Sequence, residues 1–196
     1  MAPRSRELGD NEPLSVTVNR MEPVFTIGHS NRPIEEFIAL LAEHGVQRLL
    51  DIRTVPKSRH NPQFGQDQLP ASLAAAGIAY QYIGALGGLR HPRKDSPNAG
   101  WHNKSFRGYA DHMQSEEFRH SVDDVAGMAG QERCALMCAE AVPWRCHRSM
   151  VADALTVRGI PVEHIINPGK TRPHALTRFA HVEGTRILYP PEEAAG

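Results

Sequence analysis

Eleven consecutive residues, Cys138-Ala139-Glu140-Ala141-Val142-Pro143-Trp144-Arg145-Cys146-His147-Arg148, carry two thiols, a carboxylate, an imidazole and two guanidiniums. Packing alone does not account for that density, because such groups are costly to bury unless they serve one another or a ligand. The segment follows the apolar run 134–138 and leads into helical spacing over 148–159. Cys146, His147 and Arg148 therefore fall near a helix N-terminus, whose dipole favours anions and lowers a thiol pKa. Cys134, within the apolar run, reads as an ordinary buried strand residue.

Three chemistries could use this cluster. Zinc would take Cys138, Cys146 and His147, but the chain lacks a C-x2-C pair here and needs a fourth ligand from elsewhere, such as His29. A cysteine nucleophile is conceivable, yet Cys138 and Arg145 stand one residue further apart than in the C-x5-R loop of thiol phosphatases. The third chemistry pairs Glu140 with Asp51, two carboxylates converging from neighbouring strands, with arginine and histidine around a phosphate. That pair is the expected catalytic machinery, and no metal or cofactor is expected.

Other segments add binding groups. Asp51 closes an apolar run and is followed by Arg53, Lys57, Arg59 and His60, a cluster suited to phosphate, although an Asp51–Arg53 ion pair would explain it too. Asn61-Pro62-Gln63-Phe64 is a tight turn presenting an aromatic ring, for the core or for base stacking. Gly28-His29-Ser30-Asn31 ends another run: His29 is expected to face the site, whereas Ser30 and Asn31 either contact ligand or cap the next helix. A long aperiodic stretch, 85–106, interleaves basic residues with aromatics, Trp101 among them, as a nucleotide surface would.

The elements that must position these groups alternate in type. Short apolar runs at 24–28, 46–52, 78–83, 134–138 and 161–166 read as strands, the last closing the series. Between them lie helical spacings, including Ile34, Phe37, Ile38 and Leu41 ahead of Gly45, and residues 67–77, 116–129 and 148–159. This order predicts βαβ units and a mainly parallel sheet, whose ligands bind beyond the carboxyl ends of the strands. Residues 1–22 read as a disordered arm, 23–186 as a single α/β domain and 187–196 as a flexible tail.

The 196 residues suffice for one well-buried domain, and 22 Lys/Arg balance 22 Asp/Glu, which excludes a uniformly basic coat. The charge is nevertheless segregated: residues 51–107 sum to +5, 108–140 to −5 and 141–186 to +4. A local basic face is therefore expected to hold DNA. No apolar run approaches the ~20 residues of a membrane span, and three cysteines do not make a disulfide framework.

The stretches TIGHSNRPIEEFIALLAEHGV, LLDIRTVPKSRHNPQF, LGGLRHPRKDSPNAGW and FRGYADHM, together with CAEAVPWRCHR at 138–148, resemble the DUF488 family over roughly residues 24–170. The resemblance implies a Rossmann-like, three-layer α/β fold and a cytoplasmic protein, and it suggests a DNA glycosylase for modified bases. On that reading Asp51 or Glu140 activates water or stabilises the sugar cation, while His29, Ser30 and Asn61 read the base edge. Arg53, Lys57, Arg59 and Arg148 hold phosphates, and Phe64 or Trp101 stacks. The alternative is a thiol-centred or metal-binding module built on Cys138, Cys146 and His147.

Overall fold

The computed structural model describes residues 21–57 and 59–191. The arm expected at 1–22 thus lies outside the described residues except for Met21 and Glu22, both exposed, and the end of the tail, 192–196, lies outside them too. Five parallel strands form the body of the sheet: β1 (Val24–Gly28), β2 (Arg48–Asp51), β3 (Ala79–Tyr82), β4 (Cys134–Cys138) and β5 (Val162–Asn167). Their spatial order is β3-β2-β4-β1-β5, and β6 (Lys170–Pro173) adds an antiparallel edge strand.

Because successive side chains of a strand point to opposite faces, each strand feeds two cores. Phe25, Ile27, Leu49, Ala135 and Met137 pack with α1 (Ile34–Glu43) and α2 (Leu69–Ala75) through Phe37, Leu40, Leu41, Leu69 and Leu73. Val24, Leu50, Ile52, Cys134 and Leu136 face the other way, onto α3 (Lys104–His112), α4 (Glu116–Ala129) and α5 (Arg148–Thr156). The result is a three-layer α/β domain. Helix α5 is buried along almost its whole length, from Arg148 to Leu155, which is why its sequence carries little amphipathic pattern.

The chain departs from expectation after β5, which is not the last strand. Gly169 (φ 65°) makes the tight turn to β6, and a separate hairpin follows, β7 (His181–Glu183) and β8 (Arg186–Leu188). The domain also runs past residue 186: Ile187 and Tyr189 are buried, and the Tyr189 hydroxyl donates to Asp153 Oδ2 (2.8 Å). The stretch 85–103 is irregular but packed. Asn98, fully buried, donates to Asp111 Oδ1 (2.8 Å) and accepts from the Tyr189 backbone N–H (2.9 Å). No helix of the described residues is long and apolar enough to cross a membrane.

Candidate active site

Beyond the carboxyl ends of β1, β2 and β4 lies a cavity of about 430 Å³. His29 follows β1, Arg53 to Val55 and Lys57 follow β2, and Cys138 to Glu140 close β4. Arg145, Cys146 and His147 come from the short 3-10 turn at Pro143–Arg145 and the entry to α5. Gly88 and Leu89 of the packed loop and Ser105 and Phe106 of α3 complete the wall.

Two contacts hold the loop after β4 in place. Gly28 lets it cross β1 at close range: a Cβ there would fall 1.9 Å from the Glu140 carbonyl oxygen. From below, Arg148 donates Nη1 to the Glu140 carbonyl (2.9 Å) and Nη2 to that of Ala141 (3.1 Å). Arg148 is buried, its Nε has no partner among the described residues, and burial pulls its pKa down. It is a clamp on the loop, which corrects its expected role as a phosphate ligand.

The expected carboxylate pair does not converge. Asp51 shares the face of Leu49, toward α1 and α2, and Cys138 shares the opposite face with Leu136. The Asp51 carboxylate is fully buried and committed: it accepts from Arg53 Nε (2.8 Å), Arg53 Nη2 (2.6 Å), the Arg53 backbone N–H (3.1 Å) and the Tyr80 hydroxyl (2.8 Å). The ion-pair reading of Asp51 and Arg53 is the correct one, and Asp51 is not a lining residue. Glu140, exposed, does line the cavity.

Arg53 is thereby aimed. Its Nη2 also donates to the Phe64 carbonyl (2.8 Å), leaving Nη1 for His29 Nε2 (3.3 Å) and the cavity. His29 donates Nδ1–H to the Ser30 carbonyl (2.8 Å), so both ring nitrogens are engaged, and burial lowers its pKa. It is no fourth metal ligand. Phe64 is fully buried, stacked on His29 (centroids 4.4 Å) and edge-on to Phe37, so it is core rather than a base platform. Trp101 likewise packs on Phe106, Phe179 and Tyr189 and is not among the residues that line the cavity.

Ser30 and Asn31 neither line the cavity nor cap α1, whose N-cap is Pro33 with no side-chain bond. Ser30 instead turns the chain at φ 49°, its N–H donating to the Ala139 carbonyl (2.9 Å). The carbonyl of Asn61 accepts the Phe64 N–H (3.0 Å) in the turn expected there, outside the cavity lining. Lys57 lines the cavity; Arg59 is exposed beyond it. Arg145 and Phe106 line the cavity too; the sequence places Arg145 in the 138–148 cluster and Phe106 in the basic–aromatic stretch 85–106 without giving either a role of its own. The signals that could have found them were Arg145's place in a Pro-initiated turn between two thiols and Phe106's place at the start of α3.

The thiols meet on the cavity floor. His147 Nε2 donates to the Ile52 carbonyl (3.0 Å), so in the neutral ring Nδ1 carries no hydrogen, and it faces Cys146 Sγ at 3.6 Å and Cys138 Sγ at 3.9 Å. The Cys146 sulfur accepts the Arg148 backbone N–H (3.5 Å), as its place at the start of α5 predicted. The helix N-terminus does not lower the Cys146 pKa, contrary to what its position implies. The Cys146 S–H donates to the Cys138 sulfur, which holds Cys138 well below the usual thiol range and Cys146 well above it. Burial pushes Cys134, remote from the cavity, up to about 11. None of the three cysteines is in a disulfide.

The family model described as "Domain of unknown function DUF488" matches residues 33–155, which span β2 to β4, all five helices but the last residue of α5, and the whole 138–148 segment. No curated protein and no solved structure matches the chain.

Proposed function

Since the chain belongs to the DUF488 family, whose description assigns no activity, we propose from the site itself that it is a nucleic-acid-directed hydrolase, most concretely a DNA N-glycosylase excising a modified pyrimidine. The observation that carries this reading is the composition of one cavity's wall: Glu140 together with Arg53, Lys57, Arg145 and Phe106. The volume, about 430 Å³, lies in the range of small-ligand pockets. Glu140 takes the role first divided between two carboxylates, activating water or stabilising the oxocarbenium-like sugar. Lys57 and Arg145 contact phosphates, Arg59 extends the cationic surface outward, and Phe106, stacked with Trp101 on one face, meets an extruded base with the part of its ring that lines the cavity. The reading places the protein with DNA in the cytoplasm, where its three thiols would stay reduced.

The test is incubation with oligonucleotides bearing a panel of modified bases, followed by alkaline cleavage at abasic sites. The expected result is release of at least one base, slowed about 10²- to 10⁴-fold by Glu140→Gln at unchanged thermal stability. Absence of base release across the panel, or a Glu140→Gln protein as fast as wild type, overturns the reading.

A further inference from the structure

The carboxylate chemistry makes no use of Cys138, Cys146 and His147, yet these are the groups brought together most tightly. Their three donor atoms all lie within 4.8 Å of one another, on two buried cysteines and one half-buried histidine. We infer that Cys138, Cys146 and His147 form a Cys2His site for a soft divalent metal ion, zinc in the first place, with its remaining coordination position open to the cavity.

The argument is geometric. With zinc–sulfur bonds of about 2.3 Å and zinc–nitrogen bonds of about 2.0–2.1 Å, a tetrahedral site has sulfur–nitrogen edges of about 3.6 Å. The two such edges measured here are 3.6 Å and 3.9 Å. An imidazole ligates through a nitrogen without a proton, and its other nitrogen is commonly anchored to a carbonyl or carboxylate. His147 meets both conditions, because Nε2–H is spent on the Ile52 carbonyl and Nδ1 points at the sulfurs. Space beside Nδ1 is kept free by Gly88, where a Cβ would fall 2.3 Å from that atom.

The remaining site chemistry fits an open rather than a closed centre. Structural zinc sites take four protein ligands, whereas catalytic ones take three and present the fourth position to water or substrate. Here the fourth candidate, His29, is engaged at both nitrogens, and all three donors line the cavity shared with Glu140. On binding, Cys146 gives its proton to solvent, Cys138 binds as the thiolate that the Cys146 S–H already favours, and the ion takes two thiolates and one neutral imidazole, so the metal and its three ligands together carry no net charge. The Arg148 N–H on the Cys146 sulfur supplies an outer hydrogen bond of the kind that steadies thiolate ligands.

The test uses the full-length protein, reduced and stripped with a chelator, then titrated with Zn²⁺ and separately with Co²⁺. One equivalent of metal is expected to be retained after desalting, and the cobalt form should show thiolate-to-cobalt charge-transfer absorption together with visible bands of tetrahedral intensity. Cys138→Ser and Cys146→Ser should each weaken binding at least about 100-fold, since even outer partners of such ligands count for 10- to 100-fold. Cys134→Ser should bind as wild type. Should the ligand variants fail to fold, Gly88→Ala serves instead, filling the space beside Nδ1 while keeping all three donors, and it should also lose the metal. Absence of bound metal in protein with three titratable thiols, or retention by the Cys138→Ser/Cys146→Ser double variant, overturns the inference. Base release by a protein that takes up no metal on titration would sink this inference and leave the proposed hydrolase standing; bound metal without base release would do the converse.

Discussion

Replacing Asp51 with Asn should unfold the protein before it silences any chemistry. The carboxylate accepts four hydrogen bonds, three of them from Arg53, and both side chains are nearly or wholly sealed from water, at 0% and 5% exposure. An Asn in the same place keeps one acceptor oxygen, turns an NH2 group toward donors, and strands the Arg53 charge. Removing one partner of a buried ion pair typically costs about 3–5 kcal/mol. For a chain of this size each kcal/mol moves Tm by roughly 2–4 °C, so the loss should be about 6–20 °C. Urea unfolding of wild type and Asp51→Asn, followed by fluorescence, measures it directly. An Asp51→Leu/Arg53→Met double variant, which removes both charges, should recover part of the deficit. An Asp51→Asn protein as stable as wild type, but inactive with DNA binding retained, would refute this reasoning and restore Asp51 to the chemistry.

Three more perturbations probe other parts of the molecule. His164, buried among His174, Arg148, Arg172 and Asp153, has its pKa lowered to about 3 by burial and these cations. The unfolded chain therefore takes up a proton below pH 6.5 that the folded one refuses, so the stability this group contributes is intact above pH 6.5 and lost as pH falls toward 3. Between pH 7 and 5 the loss should be about 2 kcal/mol, and a His164→Gln protein with the same loss in urea unfolding would contradict the assignment. Gly28→Ala sets a methyl against the Glu140 and Ala141 backbone, so it should cost about 1–3 kcal/mol by thermal unfolding and distort the site; a crystal structure with the loop unmoved would count against it. Lys57→Ala and Arg145→Ala should each lower the log–log salt slope of duplex DNA binding by roughly 0.9, and an unchanged slope in the double variant would remove both from the phosphate path.

The parallel core was legible because β1 and β4 are largely apolar runs, β2 carries the buried pair Leu49–Leu50, and α1, α2 and α4 keep helical spacing and are followed closely by Gly. Strands β6 to β8 were not: Lys170–Pro173 is mostly exposed and charged, and β7 and β8 have three residues each, too few for a period to register. The site was legible as a neighbourhood and not as an arrangement. The order of strands and helices brings Asp51 and Glu140 to the same end of the sheet, but the two-residue period of β2 turns Asp51 away from that end's opening, and a shift of one position would have reversed the outcome. Phe64 is ambiguous for a similar reason, since an aromatic at the tip of a turn is sequence-identical whether it points out or in. The meeting of Cys138, Cys146 and His147 depends on a 3-10 turn that folds the intervening seven residues back on themselves, and nothing in their spacing alone reports that closure.

The Arg148 clamp bears on the kinetics of ligand capture. A fork that takes two consecutive carbonyls fixes the 139–147 loop in the unliganded protein, so the donors around the cavity are already ordered when a ligand arrives. The conformational entropy of that loop is thus lost during folding and not again at association. Binding should then follow a single second-order phase, without the slow concentration-independent step that loop ordering would add. A lysine at 148 would offer the same charge but no planar fork, and with it the loop's order would have to be regained at each encounter.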